Sequence, residues 1–231
     1  MPATPIHEHV VRVKTGSAEL EGNLSLPAAA TGIVLFAHGS GSSRHSPRNR
    51  YVARVLQQGG LATLLMDLLT TPEDREDERT GRLRFNIGLL AERVVGATDW
   101  LAQNSPTSQL RIGYFGASTG AAAALVAAAE RPQTVGAVVS RGGRPDLAIP
   151  VLDRVKAPTL LIVGGLDLAV IEMNREALAH LTVQKRLEIV PGATHLFEEK
   201  GTLEEVARLA QEWLAAHLGT PGPQQSRKSA N

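Results

Sequence analysis

The stretch Gly113-Tyr-Phe-Gly-Ala-Ser-Thr-Gly-Ala-Ala-Ala-Ala-Leu125 sets one serine among glycines and alanines, directly after a short apolar run. Two unrelated chemistries use nearly these letters. A serine on a tight strand-to-helix turn is presented for nucleophilic attack, and a glycine-rich turn at a helix N-terminus cradles a phosphate. The phosphate reading needs the turn to follow the first strand of its unit, with an acidic residue closing the next strand. Here several strand-like runs precede it, and the following run ends at Ser140. The tyrosine–lysine pair of short-chain dehydrogenases is also missing, because neither Tyr51 nor Tyr114 has a lysine four residues on. The nucleophile reading requires G-x-S-x-G between a strand and a helix, with small neighbours where the two approach. Gly116, Ser118 and Gly120 satisfy that pattern, and Ala117 and Ala121 to Ala124 keep the crossing tight.

Outward from this stretch the chain alternates between apolar strands and helices. Residues 8–26 read as an antiparallel hairpin turning at Thr15 to Ser17, and Gly32 to His38 is a buried strand. Ser46-Pro47 caps and opens a helix to about Gln58, and Leu61 to Asp67 is the next strand. The acidic segment Thr70 to Thr80 reads as turn-rich, followed by a long amphipathic helix from about Gly81 to Gln103. Strand 110–115, helix 119–130, strands 134–140 and 158–164, helix 168–181, strand 185–190 and helix 202–217 complete the series. Continuous apolar strands between helices indicate an α/β fold, with a mostly parallel central sheet covered on both faces. The connection from Ser140 to Pro158 is too short for a sizeable cap domain. The expectation is one domain over residues 1–218 and a disordered polar tail over 219–231.

Composition removes several function classes. The 24 basic and 23 acidic residues leave a net charge of +1, so no global field favours nucleic acid or an anionic membrane as partner. With no cysteine, the chain has no disulfide, cysteine-ligated zinc or cysteine nucleophile. No signal-peptide core and no run of about 18 apolar residues is present, so a cytoplasmic location is expected.

A serine nucleophile needs a histidine base, and the imidazole needs an acid to fix its tautomer. Asp167 lies just past the apolar run ending Val163-Gly-Gly-Leu, and His195 lies in the loop Pro191-Gly-Ala-Thr after the next strand. The order Ser118, Asp167, His195 puts all three at the carboxyl ends of parallel strands, where such sheets build their sites. Each has a plainer alternative: Ser118 and Asp167 as helix N-caps, and His195 as an ordinary loop histidine. His180 and His217 sit on helices, and His7 and His9 precede the sheet. For an oxyanion hole, the Thr119 amide is one donor, and the loop His38-Gly-Ser-Gly-Ser-Ser43 supplies the other. Ser40 is the first choice there and Gly41 the second, while His38 reads as a structural histidine holding the loop.

On His38-Gly-Ser-Gly41, Gly116-Ala-Ser-Thr-Gly120, Gly164-Gly-Leu-Asp167 and Gly192-Ala-Thr-His-Leu-Phe197, residues 18–217 resemble the α/β-hydrolase superfamily. Within it they are similar to the dienelactone-hydrolase-like proteins. The resemblance implies a Ser118–His195–Asp167 triad and hydrolysis through an acyl-enzyme, with no metal or organic cofactor. Dienelactone hydrolase itself uses a cysteine nucleophile where this chain presents Ser118. A general carboxylic ester or thioester is therefore the expected small-molecule substrate.

Basic residues crowd the loops at the expected site edge. Arg44, His45, Arg141 and Arg144 are candidates for holding a substrate carboxylate or phosphate. The alternative is that they are solvated or pair with the acidic segment Pro72 to Glu78. Two further function classes remain open: an acyltransferase using the same three residues, and a non-catalytic binding protein on the same fold. The sequence does not fix the oligomeric state.

Overall fold

The computed structural model describes residues 8–219. The expected tail therefore lies, apart from Gly219, outside the described residues. In chain order the elements are β1 (Glu8–Thr15), β2 (Ala18–Ser25), β3 (Gly32–Ala37), α1 (Pro47–Gln58), β4 (Ala62–Met66), α2 (Thr71–Thr80) and α3 (Ile87–Gln103). They continue as β5 (Arg111–Ala117), α4 (Thr119–Glu130), β6 (Val135–Arg141), β7 (Thr159–Gly164), α5 (Leu168–His180), β8 (Lys185–Val190) and α6 (Thr202–Leu218).

The eight strands form one sheet in the order β1-β2-β4-β3-β5-β6-β7-β8. The hairpin β1–β2 and the β2–β4 pair are antiparallel, and every other pair is parallel. From β3 the chain first adds β4 on one side and then returns to place β5 on the other. The order thus reverses between β3 and β5, and the crevice beyond their carboxyl ends is where open α/β sheets bind ligands.

The strands that read as uninterrupted apolar runs, β3, β4 and β7, are buried along their whole length. One face packs Phe36, Phe115 and Val139 against Leu56 of α1 and Leu214 of α6. The other packs Leu35, Tyr114 and Val138 against Val94 of α3 and the alanines of α4. There the buried Tyr114 hydroxyl meets Thr98 Oγ1 of α3 at 2.6 Å. Thr98 already donates to the Val94 carbonyl, so the tyrosine is the donor.

Between β6 and β7 runs only a 3-10 segment, Pro145–Arg154, packed on α4 and α5.

Residues 71–80 differ from the expected turn-rich loop. They form α2, because Thr70 accepts from the Glu73 amide while the Glu73 carboxylate accepts from the Thr70 amide, a complete capping box. Gly81, in the left-handed region at φ 64°, ends the helix, so α3 starts later than expected, capped by Asn86. Asp77 then accepts from the Leu83 and Arg84 amides and from the Arg84 guanidinium, which fixes the turn between the two helices.

Main chain meets main chain very closely where β5 turns into α4. A Cβ on Gly120 would lie 2.3 Å from the carbonyl oxygens of both Ala37 and His38, and one on Gly116 would lie 2.4 Å from the Ala121 Cα. Helix propensity alone favours alanine over glycine by about 1 kcal/mol. The collision with main chain outweighs this gain, since backbone oxygens in a central strand cannot step aside. Gly120→Ala is expected to lose roughly 1–3 kcal/mol or more, the range for overpacked cores. The loss should show as a lower urea midpoint, and an unchanged or higher midpoint would contradict this packing account.

Candidate active site

Ser118 occupies the turn between β5 and α4 with φ 51° and ψ −123°. It is one of two non-glycine residues with positive φ among the described residues. Such a conformation costs about 1–3 kcal/mol and persists only where its surroundings hold it. Its amide donates to the Arg141 carbonyl at 3.3 Å, and its carbonyl accepts from the Ala121 and Arg144 amides, both at 3.1 Å. The side chain makes no capping hydrogen bond to α4, so the plainer reading as an N-cap does not describe it.

Asp167 likewise precedes a helix without capping it through its side chain. Its Oδ2 lies 2.6 Å from His195 Nδ1. With Nδ1–H donating to the carboxylate, Nε2 keeps its lone pair free to accept a proton. The loop carrying His195 packs directly on the end of β7, since a Cβ on Gly164 would meet the Ala193 oxygen at 2.5 Å. Across the crevice, the Cβ position of Gly142 is 3.6 Å from His195 Cε1. Gly142 follows the same Arg141 whose carbonyl holds Ser118, so the serine turn and the histidine loop meet at the end of β6.

Glu199 completes this loop. Its carboxylate accepts from the Thr194 amide at 3.1 Å and from the Thr194 hydroxyl at 2.6 Å, closing the loop around His195. Those hydrogen bonds, the hydroxyl's first, hold its carboxyl below the usual glutamate range. No local motif announces such a loop closure in the sequence.

The expected oxyanion residues come together with one difference. As the first residue of α4, Thr119 has an amide without an intrahelical acceptor. The Ser40 amide points at the same turn but donates to Thr119 Oγ1 at 3.1 Å. The Thr119 and Ser40 hydroxyls are 2.9 Å apart, and Ser40 Oγ donates onward to the Arg84 carbonyl. Gly41 follows in the left-handed region, at φ 66°. His38 holds this loop from below: Nε2 accepts from the Leu68 amide at 3.1 Å, so Nδ1 carries the proton donated to the Gly39 carbonyl at 3.0 Å.

The basic candidates are placed as follows. Arg44 is saturated, pairing with Asp67 and Glu21 and donating to Asn23 Oδ1 at 3.1 Å. Arg144 forms a fork with Asp146. Arg141 turns inward and is buried. His45 lines an open cleft of about 660 Å³ beside the Ser40 loop, with Ser42, Ser43, Arg48, Asp74 and Glu78. The cationic side chains in these loops thus meet carboxylates mostly outside the acidic segment 72–78, whose Asp77 pairs with Arg84 and whose Glu73 pairs with Arg93 of α3. Among the described residues no three His, Asp or Glu side chains gather as a metal-binding group.

The family model of dienelactone hydrolases matches residues 20–218. The chain belongs to the dienelactone hydrolase family. A crystal structure of a dienelactone hydrolase from Anabaena variabilis is similar at 67% identity and a TM-score of 0.91, covering 92% of this chain and 99% of that one. The esterase Est1E from Butyrivibrio proteoclasticus shares the fold, with a TM-score of 0.75 over 90% of this chain and 98% of its own at 16% identity. A Mycobacterium tuberculosis protein described as a putative phosphoribosyl transferase is 56% identical over 219 residues, which is 95% of this chain and 48% of that protein. The chain thus spans about half the length of that relative. No helix among the described residues is long and apolar enough to cross a membrane.

The half-buried His38 yields a test of how the loop is held. Burial pushes its pKa below the ordinary 6.5, so the folded chain keeps it neutral while the unfolded chain takes a proton below that value. Its contribution to stability is complete above 6.5 and declines as pH falls from there through the lower folded value. His38→Gln, which cannot titrate, should lose less stability than wild type between about pH 7 and about pH 5. Equal losses in urea titrations at the two pH values would show that His38 does not titrate in this way.

Proposed function

We propose that the protein is a serine hydrolase that cleaves a carboxylic ester or thioester through Ser118, His195 and Asp167. The observation that carries this reading is the 2.6 Å bond between His195 Nδ1 and Asp167 Oδ2, made across the crevice from a serine in a strained turn. Ser118 Oγ attacks the carbonyl carbon while His195 Nε2 takes its proton, and the bond to Asp167 stabilises the imidazolium that forms. The Thr119 amide and the Ser40 amide hold the negative oxygen, with the Ser40 amide exchanging Thr119 Oγ1 for it. His195 then gives its proton to the leaving alcohol or thiol. Water, deprotonated by the same nitrogen, releases the acid from Ser118 and restores the hydroxyl.

The substrate class follows from the surroundings. With only the 3-10 segment Pro145–Arg154 between β6 and β7, nothing there encloses a long acyl chain, which supports small or exposed acyl groups. In this reading the leaving group extends along the Ser40 loop into the cleft with His45. Asp74 and Glu78 also line that cleft, and Arg44 and Arg144 are already paired, so neutral esters come before anionic ones. A small-molecule ester is the proposed partner, and the cytoplasm the proposed compartment. The phosphoribosyl-transferase description belongs to a relative of which the matched part is 48%, and nothing in the residues around Ser118 favours that transfer.

The test is turnover of p-nitrophenyl acetate and butyrate by wild type and Ser118→Ala, with products analysed in the presence of added alcohol. Wild type should release acid and p-nitrophenol, and the variant should lose activity by about 10³-fold or more while keeping its fold. Equal turnover by the variant would remove Ser118 from the reaction. Ester products in place of acid would make the enzyme a transferase, and a mono-succinyl ester turned over faster than its neutral analogue would restore the anionic class.

A further inference from the structure

Arg141 ends β6 and is buried, 5% exposed, and among the described residues it pairs with no carboxylate. Its Nη2 donates to Asn49 Oδ1 at 3.2 Å, and its guanidinium carbon stands 5.9 Å from the centre of the Phe197 ring. Among the described residues its Nε has no hydrogen-bond partner. Burial, and then the neighbouring charge of Arg48, bring its pKa down to about 10, which still leaves it a cation at neutral pH. A lone buried cation destabilises the fold it sits in, so its position calls for a reason.

Phe197 is two residues past His195 and is the second non-glycine residue in the left-handed region, at φ 55°. Its amide donates to the Thr194 carbonyl at 3.2 Å, so the ring and the imidazole belong to one turn. The Cβ position of Gly142, next to Arg141, is 3.1 Å from the His195 carbonyl and 3.5 Å from Phe197 Cε2. Arg141 therefore touches both halves of the site. Its main chain holds the Ser118 amide, and its side chain lies against the ring that anchors the histidine turn. The adjacent Glu198 is tied to Arg48 of α1 at 3.0 Å, so two neighbouring residues of this turn are strapped toward α1, one directly and one through Arg141.

We propose that Arg141 is a positioning residue: its guanidinium, held between Asn49 and the face of Phe197, sets the place of His195 relative to Ser118. A planar guanidinium fits this task because it can donate to Asn49 in its plane and lie against a ring at the same time. An aliphatic side chain of the same length would fill the volume without fixing the direction. Arg141 does not touch the substrate in this account. The inference rests on the reading of Ser118 and His195 given under Proposed function, and its test is chosen to survive a failure of that reading.

The experiment compares Arg141→Met, Arg141→Lys and Phe197→Leu with wild type. The first readout is the downfield proton of the His195–Asp167 hydrogen bond in the NMR spectrum, which needs no substrate. It should be sharp in wild type and broadened or lost in Arg141→Met, with the remaining amide spectrum still dispersed. The second readout is ester turnover. Arg141→Met should lower kcat by about 100-fold, the scale for a small misplacement of a reacting group, with KM within about threefold. Arg141→Lys should recover part of the loss. The Arg141→Met/Phe197→Leu double variant should be little worse than Arg141→Met alone, because both act through one contact.

A sharp, unshifted His195 proton in folded Arg141→Met would overturn the proposal, as would a change confined to KM or multiplicative losses in the double variant. If Arg141→Met does not fold, Phe197→Leu and Arg141→Lys carry the same spectral test. Absence of esterase activity in wild type, with the spectral effect present, would count against the hydrolase reading and leave the positioning role standing.

Discussion

The site depends on a steric constraint: α4 must start within van der Waals contact of the carboxyl ends of both β3 and β5. That approach exists because Gly116 and Gly120 present no Cβ to the Ala121 backbone and to the Ala37 and His38 oxygens. With α4 pressed so close, the chain has one residue in which to turn from strand to helix, and Ser118 takes that turn in a conformation that side chains seldom adopt. The strain is held by three main-chain hydrogen bonds, one to Arg141 at the end of β6 and one to Arg144 just after it. The same approach brings the Ser40 loop over the first turn of α4, so both candidate oxyanion donors arise from the contact that aims the serine.

Around this rigid centre, polar side chains secure the loops. His38 ties the loop after β3 to the strand end at Leu68, and Arg44 ties its far end to Asp67 and Glu21. Glu199 closes the histidine turn, while Arg141 and Arg48 draw it toward α1. Most of these groups are charged, yet few are arranged as surface decoration, where an ion pair contributes about 0–1 kcal/mol. Arg141 is buried and His38 half-buried, and each reaches two parts of the site's framework: Asn49 and Phe197 for Arg141, Gly39 and Leu68 for His38. The loop after β3 is held against α4 by the Ser40 amide, which rests on Thr119 Oγ1.

The sheet and its main helices were legible because their signals are local. Apolar runs bounded by glycine mark β3 and β7, Ser46-Pro47 marks α1, and the small residues after Ser118 mark the close crossing of α4. The order serine, acid, histidine could be read because each falls in a loop just past a strand, although β8 before His195 is largely polar and exposed. Helix α2 was missed although its capping box is also local: Thr70 and Glu73 were submerged in a run of charges and a proline that suggested turns. The fate of the arginines was not legible at all. Arg44 finds Glu21 of β2 and Asp67 just past β4, far from it in sequence, and Arg141 finds Asn49 of α1 and Phe197 of the loop after β8. Partners of that kind are set by tertiary packing, which charge patterning along a chain does not encode. The hydroxyl of Thr119 escaped for the same reason, since its contact with the Ser40 amide spans 79 residues.

The measurement that bears most directly on Ser118 as an activated nucleophile is labelling by a fluorophosphonate, followed by intact mass and peptide mapping. The account predicts one adduct per chain, located on Ser118, formed slowly or not at all in His195→Gln and absent in Ser118→Ala. An adduct on another residue, or labelling of Ser118→Ala at the wild-type rate, would contradict it.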